Sequence, residues 1–212
     1  MIITPDYPSV LHLKKRDRRL AALIDAIGAI ECRAQPDALA FIATEIVEQM
    51  LSFKAAECIR GRIAAMTGGK FTPASLLRLT QDDLRAAGMS RNKAGYLLGF
   101  ASAVADGTLD LGALPALSDE EIMKRLTSLR GIGSWTAKMY LLFVLGREDV
   151  LPFEDAAFMQ SFRWLYGLKD PQRETVLRRC RKWKPYSSVA ARYLYRALDT
   201  GMTRTPLMLP AR

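Results

Sequence analysis

The segment from Leu126 to Asp155 reads LTSLRGIGSWTAKMYLLFVLGREDVLPFED, and a Gly-Ile-Gly turn at 131–133 separates two stretches with helical apolar spacing. Glycine permits positive φ, and because it has no Cβ it lets the backbone approach another chain closely. The N–H groups that open the second stretch lack partners within their own helix, so they suit an anion. The segment therefore predicts a helix-hairpin-helix motif at 126–146 that can hold a phosphate, followed by a carboxylate at Asp155.

The rest of the chain has the composition of a folded, basic protein. Its 212 residues are 50% hydrophobic, and 31 Lys and Arg against 22 Asp and Glu give a formal net charge of +9. This balance favours a polyanionic partner, because each Lys or Arg placed against a phosphate releases condensed counterions. Charge alone leaves open a basic protein that has no nucleic-acid partner.

Residue usage excludes several classes of site and partner. The three cysteines, Cys32, Cys58 and Cys180, form no CxxC pair, which argues against a zinc ribbon and against a four-cysteine iron–sulfur cluster. His12, the only histidine, lies in a polar N-terminal segment, which argues against a Ser-His-Asp triad and against a multi-histidine metal site. No signal sequence or membrane-spanning apolar run is present. We expect a reduced, cytoplasmic protein of bacterial type that has no membrane partner and associates with the nucleoid through DNA.

Apolar spacing is helical almost throughout, and alternating strand patterns are nearly absent, so the predicted class is all-α. The turn Gly88-Met89-Ser90, with Lys93 beyond it, is interpreted as a second tight helix–helix turn with a structural role. Two apolar stripes mark the N-terminal helices, one from Leu20 to Ile30 and one from Phe41 through Met50 to Leu51. Further helices are predicted at 54–66, 73–86, 91–105, 118–129, 134–146, 156–167, 172–182 and 186–199.

Three motifs together carry a family resemblance over about residues 10–200: the Gly-Ile-Gly hairpin, the Pro-Phe-Glu-Asp sequence at 152–155, and the run WKPYSSVAARYLYR at 183–196. The chain resembles the 3-methyladenine (alkylbase) DNA glycosylase II family of the helix-hairpin-helix DNA glycosylases. The resemblance implies a monomeric two-lobed helical bundle with a DNA-binding cleft between its lobes. One lobe would be 36–148, with the hairpin; the other would be 1–35 plus 149–212, with the catalytic Asp and a basic C-terminal helix.

Asp155 is the candidate catalytic residue, since in this family the second of two acidic residues after a proline is catalytic. Breaking an N-glycosidic bond builds oxocarbenium character, and a carboxylate both stabilises that charge and orients or deprotonates water. Glu154 is the alternative carboxylate, and helix capping is the alternative role for Asp155. Bifunctional relatives carry a catalytic lysine where this chain has Trp135, and Lys138 would face elsewhere on the helix. Hydrolysis without lyase activity is therefore expected.

Aromatic residues are the candidates for base recognition. Trp135 and Tyr195 match family positions at which rings stack on the flipped base, and a cationic alkylpurine gains cation–π attraction there. Met139 stands where some relatives have Tyr, which predicts a base pocket with a more flexible wall and a different selectivity. Each of the two aromatic residues has the alternative role of an ordinary core residue.

Two segments are candidates for DNA contact. The hairpin would hold a phosphate through Gly131, Ile132, Gly133, Ser134 and Thr136. The stretch Gln49-Met50-Leu51-Ser52 resembles the family loop that enters the minor groove, with Met50 or Gln49 as the wedge that fills the gap left by the flipped base, and Ser52 beside them. The alternative for Met50 is the helical core stripe that begins at Phe41.

No cofactor is expected, apart from a structural monovalent cation that family members often hold with hairpin carbonyls, here those of Thr127, Leu129 and Ile132. The expected function is excision of alkylated bases, such as 3-methyladenine or 7-methylguanine, from damaged double-stranded DNA in base-excision repair. Two alternatives stay open at this point: a non-catalytic helix-hairpin-helix DNA-binding module, and a glycosylase for deaminated or oxidised bases.

Overall fold

The computed structural model describes residues 2–32 and 35–207, and the regular structure in these ranges is almost entirely helical. One antiparallel pair of very short strands, β1 (Ile2–Ile3) and β2 (Ile30–Glu31), is the exception. The all-α class is thus confirmed. The α-helices of the described residues are α1 Pro8–Arg16, α2 Arg18–Ile27, α3 Ala38–Glu48, α4 Phe53–Met66, α5 Pro73–Leu77, α6 Gln81–Ala86, α7 Arg91–Ala105, α8 Asp119–Thr127, α9 Ser134–Met139, α10 Ala156–Tyr166, α11 Arg173–Cys180 and α12 Ser187–Asp199.

The chain folds as two compact units. One consists of Gln35–Leu145, and the other combines Met1–Ala34 with Gly146–Arg212. The lobes expected from the sequence have bounds close to these. The second unit is discontinuous because β2 and the helices near the N-terminus share a core with the C-terminal helices.

In the unit Gln35–Leu145, α7 packs against α3, α5 and α6, while α8 packs against α9. The interior is largely aliphatic, with Ile42, Ile46 and Leu97 fully buried, and it also contains the buried rings of Phe100 and Tyr140. Apolar burial of this kind supplies about 1.5–3 kcal/mol for each fully buried large side chain. This packed core holds the connections between the helices in place, and the predicted DNA-binding residues lie in or next to those connections.

In the unit formed by Met1–Ala34 and Gly146–Arg212, the core lies among α2, α10 and α12, which pack against one another. It is more aromatic than the core of the other unit: Phe158 stacks on Phe162, and Trp183 meets both rings edge-on. Edge-on and offset arrangements suit the quadrupoles of aromatic rings. Asp155 therefore lies at the start of a helix, α10, that packs firmly into this core.

Local capping explains where the structure departs from the predicted helices. The segment 73–86, predicted as one helix, is divided into α5 and α6 because Thr80 starts a new helix. Its hydroxyl oxygen accepts from the Asp83 N–H at 3.1 Å, and the Asp83 carboxylate accepts from the Thr80 N–H at 2.8 Å. The pattern also missed α1, which Pro8 opens at its first position. After α9 the helix continues as a π-helical turn, Tyr140–Val144.

None of the helices in the described residues is both long enough and apolar enough to cross a membrane.

Candidate functional site

The hairpin lies between α8 and α9. Ser118 caps α8 in a reciprocal capping box with Glu121, and the helix ends at Thr127. The connection then turns at Gly131, whose φ is +88°, and the N–H of Ile132 donates to the Leu129 carbonyl at 3.2 Å. Ile132 is buried and anchors the turn from beneath. The sequence signal and the geometry agree on a tight, apolar-anchored connection.

The two hairpin glycines meet different constraints. A Cβ on Gly131 would stand 2.4 Å from the Tyr96 ring, and the positive φ of Gly131 is unfavourable for other residues, so packing and backbone both require glycine there. Gly133 has an ordinary φ of −92°, and an added Cβ would meet nothing within 4 Å. The protein's own fold therefore explains Gly131 and leaves Gly133 exposed, with no internal contact that demands it.

Helix α9 places its predicted contact residues on two sides. Ser134 is exposed and Trp135 is partly exposed, as an outward role requires. Thr136 is only 2% exposed and Met139 only 4%, because both lie on the buried side of the helix. The side chains of Thr136 and Met139 therefore have little exposed surface for the predicted contacts with DNA and with the base.

The loop after α3 displays Met50. The helix ends at Glu48, and Met50 takes φ +55° and is fully exposed. Ser52 then caps α4, and its hydroxyl oxygen accepts from the Ala55 N–H at 3.4 Å. The helical core stripe through Met50 and Leu51 is thus wrong, because the helix stops before either residue. Its apolar spacing continued past the end of the helix by coincidence.

Gln49 and Lys93 tie this loop to its surroundings. The Gln49 amide nitrogen donates to the Gly131 carbonyl at 2.8 Å, which brings the loop and the hairpin together. The Lys93 ammonium donates to the carbonyls of Val47 at 2.7 Å and of Gln49 at 2.8 Å, and partial burial lowers the Lys93 pKa. The sequence showed Lys93 and its turn as structural only; it gave no sign of the loop contact, which joins residues far apart in the chain.

In the other unit, Asp155 caps α10. One carboxylate oxygen accepts from the Phe158 N–H at 2.7 Å, and the side chain stays partly exposed. The loop before it is fastened to the start of α12: the Val150 N–H donates to the Ser188 hydroxyl at 2.9 Å, and Asp149 accepts from the Ser187 hydroxyl at 2.5 Å. The predicted carboxylate thus stands at a helix start on an anchored loop, and Glu154 beside it is exposed.

Tyr195 and the basic C-terminal run are partly structural. Tyr195 lies on α12 and packs against the core of its own unit while remaining partly exposed. Lys182 forms an ion pair with Asp17 at 3.0 Å, and Lys184 forms one with Asp149 at 3.0 Å. These two lysines therefore make contacts within the protein. The sequence placed only Glu174 near this run, because the acidic partners come from distant segments.

The chain matches the family model of the HhH-GPD superfamily base excision DNA repair proteins over residues 43–185. The chain belongs to this superfamily. The matched range includes the loop around Met50, the hairpin and the Pro-Phe-Glu-Asp sequence that ends at Asp155, and it ends at Pro185, within the third motif at 183–196.

Individual relatives agree with this membership. The chain is 30% identical over 202 residues to DNA-3-methyladenine glycosylase 1 of Schizosaccharomyces pombe, covering 92% of this chain and 89% of that protein. It is 37% identical over 128 residues to the Bacillus subtilis protein YfjP, but it spans only 45% of that relative's length.

Solved structures show the same fold. The DNA-3-methyladenine glycosidase of Bacillus halodurans superposes with a TM-score of 0.87 at 33% identity, covering 99% of this chain and 97% of that one. The Schizosaccharomyces pombe glycosylase Mag1, solved with abasic DNA, gives a TM-score of 0.82 at 29% identity, covering 90% and 96%. The helix-hairpin-helix glycosylase fold expected from the sequence is therefore confirmed.

Proposed function

We propose that this protein is a monofunctional DNA glycosylase that hydrolyses the N-glycosidic bond of alkylated bases and leaves an abasic site. It acts inside the cell as a monomer on double-stranded DNA that contains a damaged base. The observation that carries the proposal is Asp155, a partly exposed carboxylate fixed at the start of α10 within the family's matched range. Relatives named for 3-methyladenine excision support the choice of substrate.

Asp155 has two tasks in this reaction. Departure of the base builds positive charge on the deoxyribose, which a carboxylate held nearby stabilises, and the same carboxylate orients or deprotonates the attacking water. Its hydrogen bond from the Phe158 N–H at 2.7 Å fixes the side chain at the start of α10. A base alkylated at a ring nitrogen already carries positive charge, so it leaves without a dedicated general acid.

Trp135 and Tyr195 are the proposed base-contacting residues. Both rings are partly exposed, so each keeps surface available for a ligand while the rest packs against protein. A cationic base over such a ring gains about 0.5–2 kcal/mol of cation–π attraction that an undamaged base lacks. Damage is thereby selected by charge rather than by base sequence.

The hairpin is the proposed phosphate clamp. Gly133 and Ser134 are exposed at the start of α9, where N–H groups are without partners in their own helix. A glycine that the fold itself does not demand is explained if the DNA backbone approaches where a Cβ would stand. Met50, the exposed residue of the α3–α4 loop, is the proposed wedge.

A monovalent cation at the hairpin would be held by the backbone carbonyls of Thr127, Leu129 and Ile132. The Leu129 carbonyl already accepts from the Ile132 N–H at 3.2 Å, and the second lone pair of a carbonyl can still face an ion. Neutral oxygen donors of this kind fit a weakly bound cation. Such an ion would add positive charge close to the clamped phosphate.

Absence of lyase activity follows from the residue at the start of α9. Schiff-base chemistry needs an amine at the position that Trp135 occupies, and an indole cannot supply one. Water is therefore the nucleophile, and the DNA strand stays intact after base removal.

A test uses labelled duplexes with a single 7-methylguanine, hypoxanthine or 8-oxoguanine, incubated with the protein and then treated briefly with mild alkali. Strand breaks should appear only after alkali and only with the alkylated base, above an enzyme-free control. Binding without breaks would favour the non-catalytic module. Breaks before alkali would contradict monofunctionality, and breaks at the other two bases alone would reassign the substrate.

A further inference from the structure

Met50 is held in a conformation that its own side chain does not favour. Among residues 2–32 and 35–207 it is the one non-glycine residue with positive φ, and its side chain is fully exposed. Positive φ is uncommon for residues with a Cβ and persists where the surroundings over-determine it. Because the Met50 side chain is exposed, its own packing does not stabilise the positive φ. The stabilisation must come from contacts of the neighbouring backbone.

Lys93 fastens the backbone just before Met50. Its ammonium donates to the Val47 carbonyl at 2.7 Å and to the Gln49 carbonyl at 2.8 Å. Both carbonyls lie at the C-terminal end of α3. Helix C-termini present carbonyls without partners and a negative dipole end, and a cation satisfies both. Lys93 is partly buried, so its side chain is directed at the protein and is committed to these two oxygens.

Gln49 fastens the same loop to the hairpin. Its amide nitrogen donates to the Gly131 carbonyl at 2.8 Å, and Gly131 in turn lies against the Tyr96 ring. Tyr96 stands one turn after Lys93 on α7, so a single helix supports both the loop and the hairpin. Backbone and side chain of Gln49 are thus both held, and Met50 is the next residue along.

We propose that Lys93 and Gln49 are positioning residues that hold Met50 outward for insertion into a duplex and keep the α3–α4 loop in register with the hairpin. Neither side chain contacts DNA in this arrangement. The proposal rests on the proposed function, since it assigns Met50 the role of wedge. It also replaces the expectation that the Gln49 side chain enters the minor groove.

The decisive measurement is base unstacking at an abasic analogue, which needs no catalysis. A duplex carries tetrahydrofuran beside 2-aminopurine, whose fluorescence rises when a neighbouring residue inserts and unstacks it. At saturating protein we expect a clear rise with the wild type, little with Met50→Ala, and less than half the wild-type rise with Lys93→Met. Gln49→Leu should behave like Lys93→Met, and it provides a second variant if Lys93→Met folds poorly.

Controls separate positioning from charge and from loss of fold. Lys70→Met removes the same charge from an exposed lysine of the same unit and should leave the fluorescence rise unchanged. The slope of log affinity against log salt should be the same for Lys93→Met and wild type, whereas loss of a phosphate contact would reduce it by about one. The double variant Lys93→Met/Met50→Ala should match Met50→Ala, because residues that act through one another are not additive.

A rate comparison extends the test to the reaction. On a fully paired lesion duplex, Lys93→Met should slow single-turnover excision by about tenfold, the scale of one lost charged hydrogen bond. On a duplex with the lesion opposite an abasic analogue, where the base is already unpaired, the loss should shrink to about twofold.

Several outcomes would overturn the proposal: an unchanged fluorescence rise in both variants, no rise with the wild type at saturation, a reduced salt slope, or equal slowing on both duplexes. Failure of the proposed function looks different. In that case excision is absent with every lesion while the Met50-dependent and Lys93-dependent fluorescence rise remains.

Discussion

Asp17 and Asp155 perform the same local task in the same unit and have opposite surroundings. Each begins an α-helix and accepts hydrogen bonds from its first N–H groups: Asp17 from Arg19 and Leu20 at 3.1 and 3.2 Å, Asp155 from Phe158 at 2.7 Å. Aspartate is among the preferred N-cap residues for this reason. Helix capping alone does not distinguish the two.

Their environments do distinguish them. Asp17 is 2% exposed, and its second oxygen accepts from the Tyr166 hydroxyl, from the Trp183 indole at 2.9 Å and from Lys182 at 3.0 Å. Burial by itself would raise the pKa of Asp17, but these hydrogen bonds outweigh it and hold the pKa below its ordinary value. Asp155 stays partly exposed. A carboxylate enclosed by its own protein stabilises the fold, and one that is accessible can act on a ligand.

The largest expected effect is on activity, from Asp155→Asn. Asparagine caps a helix as well as aspartate does, so the melting temperature should change little. Removal of the negative charge should slow single-turnover excision of 7-methylguanine by about a hundred- to a thousandfold, the scale of losing one electrostatic stabiliser. Affinity for an abasic duplex should be retained. Excision at the wild-type rate would show that Asp155 is a cap only.

The next effect is on stability, from Asp17→Asn. The amide keeps the cap but leaves Lys182 without a counter-charge and weakens three hydrogen bonds, so the free energy of unfolding should fall by about 3 kcal/mol. Urea denaturation measures this loss. Excision per folded molecule should stay within about threefold of wild type, since large losses of rate arise from groups that act on the transition state. A large loss of rate in stably folded Asp17→Asn would erase the contrast with Asp155.

The pH dependence of stability sharpens the same contrast. Because the folded pKa of Asp17 is lowered, its contribution is fully present above the unfolded pKa of about 3.9 and is lost as the pH falls through the folded pKa. The stability difference between wild type and Asp17→Asn should therefore shrink as the pH is lowered from 6 to 3. Urea midpoints at each pH report it, and a constant difference would argue against the lowered pKa.

The smallest effect is expected from Glu154→Gln. Glu154 is the rival carboxylate, exposed and adjacent to Asp155, so its charge is screened by water. Excision should change by less than about threefold. If this variant instead loses as much activity as Asp155→Asn, the two acidic residues share the catalytic role.

Much of the secondary structure can be predicted from the sequence, because helix bounds depend on residues that are close together in the chain. The helix Arg91–Ala105 was predicted at its observed bounds, since Ser90 caps it and its apolar spacing persists along its length. The division of 73–86 was missed because a capping threonine inside an apolar pattern overrides periodicity. The alternative that places Met50 in a core stripe is wrong for the converse reason: the apolar spacing continues after α3 has ended.

The sequence by itself determined the helical class and the hairpin at 131–133, and it supplied Trp135 and Asp155, the two residues on which the proposed hydrolysis rests. These depend on backbone geometry and residue chemistry within a few positions of one another. Only the tertiary structure decided that Thr136 and Met139 face inward, that Met50 faces outward, and that Lys93 and Gln49 hold it there. Such facts arise from contacts between segments distant in the chain, where burial and hydrogen bonding assign each side chain its surroundings.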